Sequence, residues 1–238
     1  MINTRKNRAI CWLDFVLYLP LMKNTDRFER PALAVIALVA WFAVVLQYYV
    51  MWEKPVLSGM NAFQLTLLFL NYFTILTNLL VAISATFSLL APQSAPGRFF
   101  SGTGVRSAIA LYISLVSIVF NVLLRAIDVR EGFADKLANE LTHLIVPVLY
   151  FVFWLLFVPK GSLNWRQPIY WLIYPLFYLV WVFVYGSFTG RYPYPFLHVD
   201  NLGYTSVAVN SVGLIVVFFI VGEVFVGIDR LLGRNKTT

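Results

Sequence analysis

One cysteine, Cys11, and two histidines are the only thiol and imidazole metal ligands in 238 residues. A lone cysteine closes no disulfide within the chain and builds no thiolate metal cage. Charge is scarce as well, at 12% of residues, with 11 acidic against 18 basic side chains. No polar stretch between the apolar runs is long enough to hold a second, water-soluble domain. There is no internal repeat and no pair of interrupted apolar segments, which are the marks of many secondary transporters. The opening MINTRKNR-AICWLDFVLYLPLM imitates a signal peptide, but Asp14 interrupts its apolar part and no small-x-small cleavage site follows. It therefore reads as retained.

Apolar residues dominate instead. They make up 60% of the chain, 17% of residues are aromatic, and the mean hydropathy of +0.77 lies far from that of a soluble domain. They gather into six runs, Pro31–Met51, Ala62–Leu90, Val105–Ala126, Ala138–Val158, Pro168–Phe188 and Thr205–Ile228. A helix needs about 20 residues to cross the hydrocarbon core. The expected fold is all-α, an integral membrane bundle of six transmembrane helices. It divides into a basic N-terminal segment (1–30), a transmembrane domain (31–229) and a short tail (230–238). The segment Ala9–Met22 is too short to span and reads as an interfacial amphipathic helix.

Orientation follows from Lys and Arg, which cytoplasmic loops retain during insertion. The N-terminal segment, the second and fourth connections and the tail carry thirteen of them, and the first, third and fifth connections carry five. Both ends are expected in the cytoplasm. The net charge of +7 then reports topology and attraction to anionic membrane lipids rather than nucleic-acid binding.

Polar side chains inside apolar runs are expensive in lipid and mark candidate sites. Asn71, Thr74 and Asn78 of the second run are spaced three and four apart, which puts them on one helical face with Thr77 close by. Interhelical hydrogen bonding and function are both open for them. Asn121 and Arg125 end the third run, where Arg125 is either a snorkelling anchor or an inward charge that holds a carboxylate. The fourth run holds His143, the best general base available, with Asn139 one turn earlier to orient it and Pro147 freeing a carbonyl nearby. Glu140 and His143 have the spacing of a di-metal bundle motif, but such a site needs two pairs and there is only one. Haem ligation by His143 and His198 is equally disfavoured, because His198 falls in a proline-flanked loop. No metal and no cofactor is expected. The aromatic loop Thr189–Asp200 is either an interfacial belt or a rigid lid over a pocket mouth.

Taken together, Tyr72-Phe-Thr74 with Asn78, Asn139-x-x-x-His143 before a proline, Thr189-Gly190 leading into Tyr194-Pro195, and Gly222-Glu223 resemble the androgen-induced and androgen-dependent family of membrane proteins. The likeness extends to the prokaryotic six-transmembrane relatives of that family. It covers residues 30 to 230 or so. The resemblance implies an intramembrane hydrolase of fatty-acid esters of hydroxy fatty acids in the bacterial cytoplasmic membrane. Thr74 would be its nucleophile and His143 its base, and a shift of one residue in the motif would exchange Thr74 for Thr77. From their placement, Asn78 or Asn121 would donate to the oxyanion and Arg125 would hold a substrate carboxylate. The rival readings are a small-solute transporter and a noncatalytic scaffold or lipid-binding protein.

Overall fold

The computed structural model describes residues 25–234, and every element assigned among them is helical. The interfacial helix expected at Ala9–Met22 lies outside the described residues. Helices α1 (Thr25–Trp52), α2 (Ala62–Phe69), α3 (Phe73–Leu90), α4 (Ala95–Ser101) and α5 (Thr103–Val119) come first. They are followed by α6 (Gly132–Glu140), α7 (Val146–Phe157), α8 (Gln167–Trp171), α9 (Ile173–Thr189) and α10 (Val199–Arg234). π-Helical turns at Phe120–Leu124 and Leu141–Ile145 extend α5 and join α6 to α7.

Six of the resulting rods are long and apolar enough to cross a membrane: Arg27–Trp52, Phe73–Leu90, Thr103–Leu124, Gly132–Phe157, Gln167–Thr189 and Val199–Gly233. The chain is thus a multi-pass membrane bundle. Six crossings return it to the side on which it started. Connections on one side touch each other: Lys54 pairs with Asp135 at 3.5 Å, and the Asn71 amide donates to the Arg191 carbonyl at 3.4 Å. On the opposite side Arg106 pairs with Glu29 at 2.8 Å. In the orientation expected from the charge count the first of these faces is the outer one, and it is called so below.

The second apolar run is not the single helix expected. An Asn61/Gln64 capping box starts α2, which stops at Phe69, and Tyr72 turns extended (φ −93°, ψ 124°) before α3 begins at Phe73. Asn71 therefore sits in the break rather than on a helical stripe with Thr74 and Asn78. Breaking a helix in lipid exposes main-chain groups that need other partners. Tyr178 supplies one, its hydroxyl donating to the Asn71 carbonyl at 3.0 Å.

Proline does the same at two other places. Pro147 has no N–H to return to the carbonyls of Thr142 or His143, the positions a π or an α pattern would pair with it. The side-chain amide of Asn78 takes the first carbonyl at 3.1 Å and that of Asn121 the second at 3.4 Å. Pro175 frees the Trp171 carbonyl in the same way, and the Tyr112 hydroxyl donates to it at 2.6 Å. In α10 the non-helical backbone lies at Gly203, with φ +74°, a conformation cheap only for glycine.

Candidate active site

Thr74 is the second residue of α3 and His143 the middle residue of the π-turn between α6 and α7. Their helices are tied together directly at this level. The Asn78 amide donates both to the Thr74 carbonyl, at 2.8 Å, and to the Thr142 carbonyl across the interface. The result is a contact of 3.3 Å between Thr74 Oγ1 and His143 Nε2.

The other imidazole nitrogen settles what that contact can do. His143 Nδ1 lies 3.0 Å from the Asn139 carbonyl, which can only accept, and 3.1 Å from the Thr142 hydroxyl. That hydroxyl itself donates to the Ala138 carbonyl at 2.9 Å, so its oxygen is free to accept. Nδ1 therefore carries the proton, and Nε2 presents a lone pair to Thr74. Asn139 does orient the histidine, but through its main chain. The ring is clamped from the other side by Phe120, stacked on it at 3.8 Å between centroids. Phe120 opens the second π-turn, so two irregular turns meet where the imidazole is held. Such turns are frequent at functional sites.

Two cavities meet at this pair. The inner one is narrow, about 70 Å³, and apolar, running between Leu115, Val119, Leu179, Leu214 and Phe218. The outer one is far larger, about 630 Å³, and more polar, with Lys54, Asp128, Arg130, Arg191, Tyr192 and His198 in its wall beside apolar side chains. Thr74, Phe120, Leu124, His143 and Tyr194 line both.

The remaining sequence candidates take other places. Thr77 lies three residues further along α3, and its hydroxyl meets Tyr174 at 3.4 Å and not the histidine. Asn78 and Asn121 spend their amides on main-chain carbonyls and line neither cavity. The carboxylate-binding role foreseen for Arg125 is corrected by the geometry. Its guanidinium makes a two-pronged pair with Glu140, at 2.6 and 3.0 Å, on the exposed side of the bundle. Glu140 is thereby engaged as well, and no cluster of three metal-ligating side chains occurs among the described residues.

Tyr194 is the group that residue-by-residue reading left without a role. The connection after α9 folds inward as a lid. Gly190 caps the helix with φ +66°, and Gly186 leaves room for the Tyr192 ring, where a Cβ would lie 2.2 Å from it. This brings the Tyr194 hydroxyl to 3.5 Å from Thr74 Oγ1 and 3.4 Å from the Thr74 main-chain nitrogen. The only signal in the sequence is the proline-aromatic alternation of Tyr192-Pro-Tyr194-Pro.

The chain matches no protein-family model, no curated protein and no solved structure.

Proposed function

We propose that this membrane protein is an ester hydrolase in which Thr74 is the nucleophile and His143 the general base. The observation that carries the reading is the 3.3 Å contact between Thr74 Oγ1 and an Nε2 held in the accepting tautomer. A threonine hydroxyl becomes a useful nucleophile only when a base within hydrogen-bond reach takes its proton. Attack on an ester carbonyl forms the Oγ1–C bond as the proton passes to Nε2. The tetrahedral intermediate then expels the alcohol, which leaves with that proton. Water attacks the acyl-threonine with His143 again as base and regenerates both side chains.

The two cavities support an amphiphilic substrate. An acyl chain suits the apolar cavity walled by Leu115, Val119 and Phe218, whereas the more polar half of the molecule and the hydrolytic water suit the outer one. Fatty-acid esters of hydroxy fatty acids, the substrates implied by the family resemblance, divide in this way. By the same resemblance we assign the chain to the bacterial cytoplasmic membrane, and by the balance of Lys and Arg we place both ends inside. No cofactor enters the scheme.

Reaction of the purified full-length protein with an alkyl fluorophosphonate tests the proposal. Mass spectrometry should find the adduct on Thr74, with its formation abolished in His143→Ala. An adduct on Thr77 would move the nucleophile to that residue, and no adduct would favour a lipid-binding or transport role.

A further inference from the structure

The dyad accounts for the nucleophile and the base but not for the charge that develops on the carbonyl oxygen. In acyl transfer that charge is commonly met by preorganised donors, and their contribution is often the largest single one. Asn78 and Asn121, the amides nearest in sequence, are spent on main-chain carbonyls.

Two other groups able to donate lie beside Thr74 Oγ1. The break before α3 makes Thr74 a first-turn residue, so its N–H has no carbonyl partner within the helix. That N–H donates to the Tyr194 hydroxyl at 3.4 Å, and the same hydroxyl stands 3.5 Å from Thr74 Oγ1. A carbonyl carbon bonded to Oγ1 puts its oxygen into the space that these two groups border. We propose that the Tyr194 hydroxyl and the Thr74 main-chain N–H together form the oxyanion site of the reaction, which makes Tyr194 a third catalytic residue. This inference rests on the hydrolase reading above.

The tyrosine is built to stay in place. Its ring stacks on Phe196 at 5.3 Å with planes 7° apart and meets the edge of Tyr72 at 6.3 Å. Pro193 and Pro195 on either side restrict the backbone that carries it. Burial pushes the Tyr194 hydroxyl above the ordinary tyrosine pKa, so it remains a proton donor through neutral and mildly alkaline pH. At rest the hydroxyl oxygen accepts from Thr74 N–H. When substrate arrives, the π pair of the carbonyl moves onto its oxygen as Oγ1 bonds to carbon and His143 Nε2 takes the Thr74 proton. The new oxyanion accepts from the N–H and from the phenol, which keeps its own proton. On collapse the pair returns to the carbonyl, and the donors revert to their resting contact.

A lipid trifluoromethyl ketone, which adds to the nucleophile as a tetrahedral oxyanion, is the probe that separates this role from a structural one. In Tyr194→Phe, kcat/KM for a fluorogenic fatty-acid ester should fall about 100- to 1000-fold. KM should stay within about threefold, and the inhibition constant of the ketone should rise by the same factor as kcat/KM falls. The Tyr194→3-fluorotyrosine variant keeps ring and hydroxyl, and its more acidic phenol should bind the ketone more tightly. If Tyr194→Phe folds poorly, this second variant decides, and an unchanged inhibition constant there overturns the proposal. Full ketone affinity in a folded Tyr194→Phe overturns it equally. Wild-type protein that neither hydrolyses the ester nor captures a fluorophosphonate removes the hydrolase reading and this inference with it. An active wild type with an unaffected Tyr194→Phe removes the inference alone.

Discussion

The outer and inner halves of this bundle are built on different principles. In the outer half α3 starts late, two π-turns interrupt the helices, and the lid from Gly190 to His198 folds over the larger, more polar cavity. In the inner half no π-turn occurs among the described residues, and the backbones come close together. Arg106 is buried against Glu29 and lies over the Phe153 ring at 5.4 Å, and the Trp154 indole donates to Ser107 at 2.8 Å. The Asp229 carboxylate accepts from the main-chain N–H groups of Gly161 and Leu163 at 3.0 and 2.9 Å. Gly161 and Gly233 approach so nearly that a Cβ on Gly233 would lie 2.3 Å from the Gly161 Cα. Polar side chains occur in both halves. Inside they pair with one another or with main-chain groups and close the structure, whereas outside they present a hydroxyl, an imidazole nitrogen and a phenol at a cavity wall. Irregular backbone is tolerated at membrane depth where it is buried in protein or lines a cavity, and the break before α3 and both π-turns lie in the half where the large cavity lies.

The sharpest way to break the comparison is to remove the dyad. Thr74→Ala or His143→Ala should lower ester turnover by at least about 1000-fold, and the double variant should be little worse than either, because residues that act as a unit are non-additive. Thermal unfolding should move little. Additive losses in kcat/KM would mean that the two side chains act separately.

Asn78 is the brace that joins the helices of Thr74 and His143, and Asn78→Leu should sit next in effect. A displacement of about 1 Å at reacting atoms can cost on the order of 100-fold in rate. Turnover should therefore fall while the protein stays folded, with stability lowered by about 1–3 kcal/mol as two hydrogen bonds are lost and the Thr142 carbonyl is left unpaired. Fluorophosphonate labelling rates against Tm would show it, and a proportionate loss of both would make Asn78 a packing residue only.

The inner half should respond in the opposite sense. Gly233→Val forces the Gly161 backbone away, and overpacking of this kind costs about 1–3 kcal/mol. Tm should drop while the protein still folded keeps its labelling rate at Thr74. Loss of labelling at full stability would show that the halves are coupled.

Arg125→Ala should do least. Its pair with Glu140 is exposed, and such pairs contribute less than about 1 kcal/mol. Turnover of a free-acid ester and of its methyl ester should change equally. Selective loss of the free acid would restore the carboxylate-binding role that the pairing with Glu140 argues against.

How much of this was legible beforehand differs by scale. The six crossings could be read because each is a run of apolar residues with a length set by the bilayer, a local property of the chain. Thr74 and His143 stood out because a polar side chain in such a run is costly and therefore conspicuous. The break at Asn71 could not be read, since Leu70-Asn-Tyr72 contains neither proline nor glycine and its stability comes from Tyr178, 107 positions later. The π-turn at His143 left only Pro147 as a trace. Arg125 misled for a related reason: whether a boundary charge faces a pocket or a partner depends on Glu140, whose side chain shares its exposed surface only after α5 and α6 have packed.

The sequence by itself determined the solvent, the number of crossings and the balance of positive charge between the two faces, because each of these is summed along the chain. The tertiary structure alone decided which threonine meets the histidine, which imidazole nitrogen carries the proton and which tyrosine leans over the pair. Those outcomes depend on distances of about 3 Å between side chains from different helices. A shift of one residue in the start of α3, or one regular turn in place of the π-turn, would have separated them without altering a single apolar run.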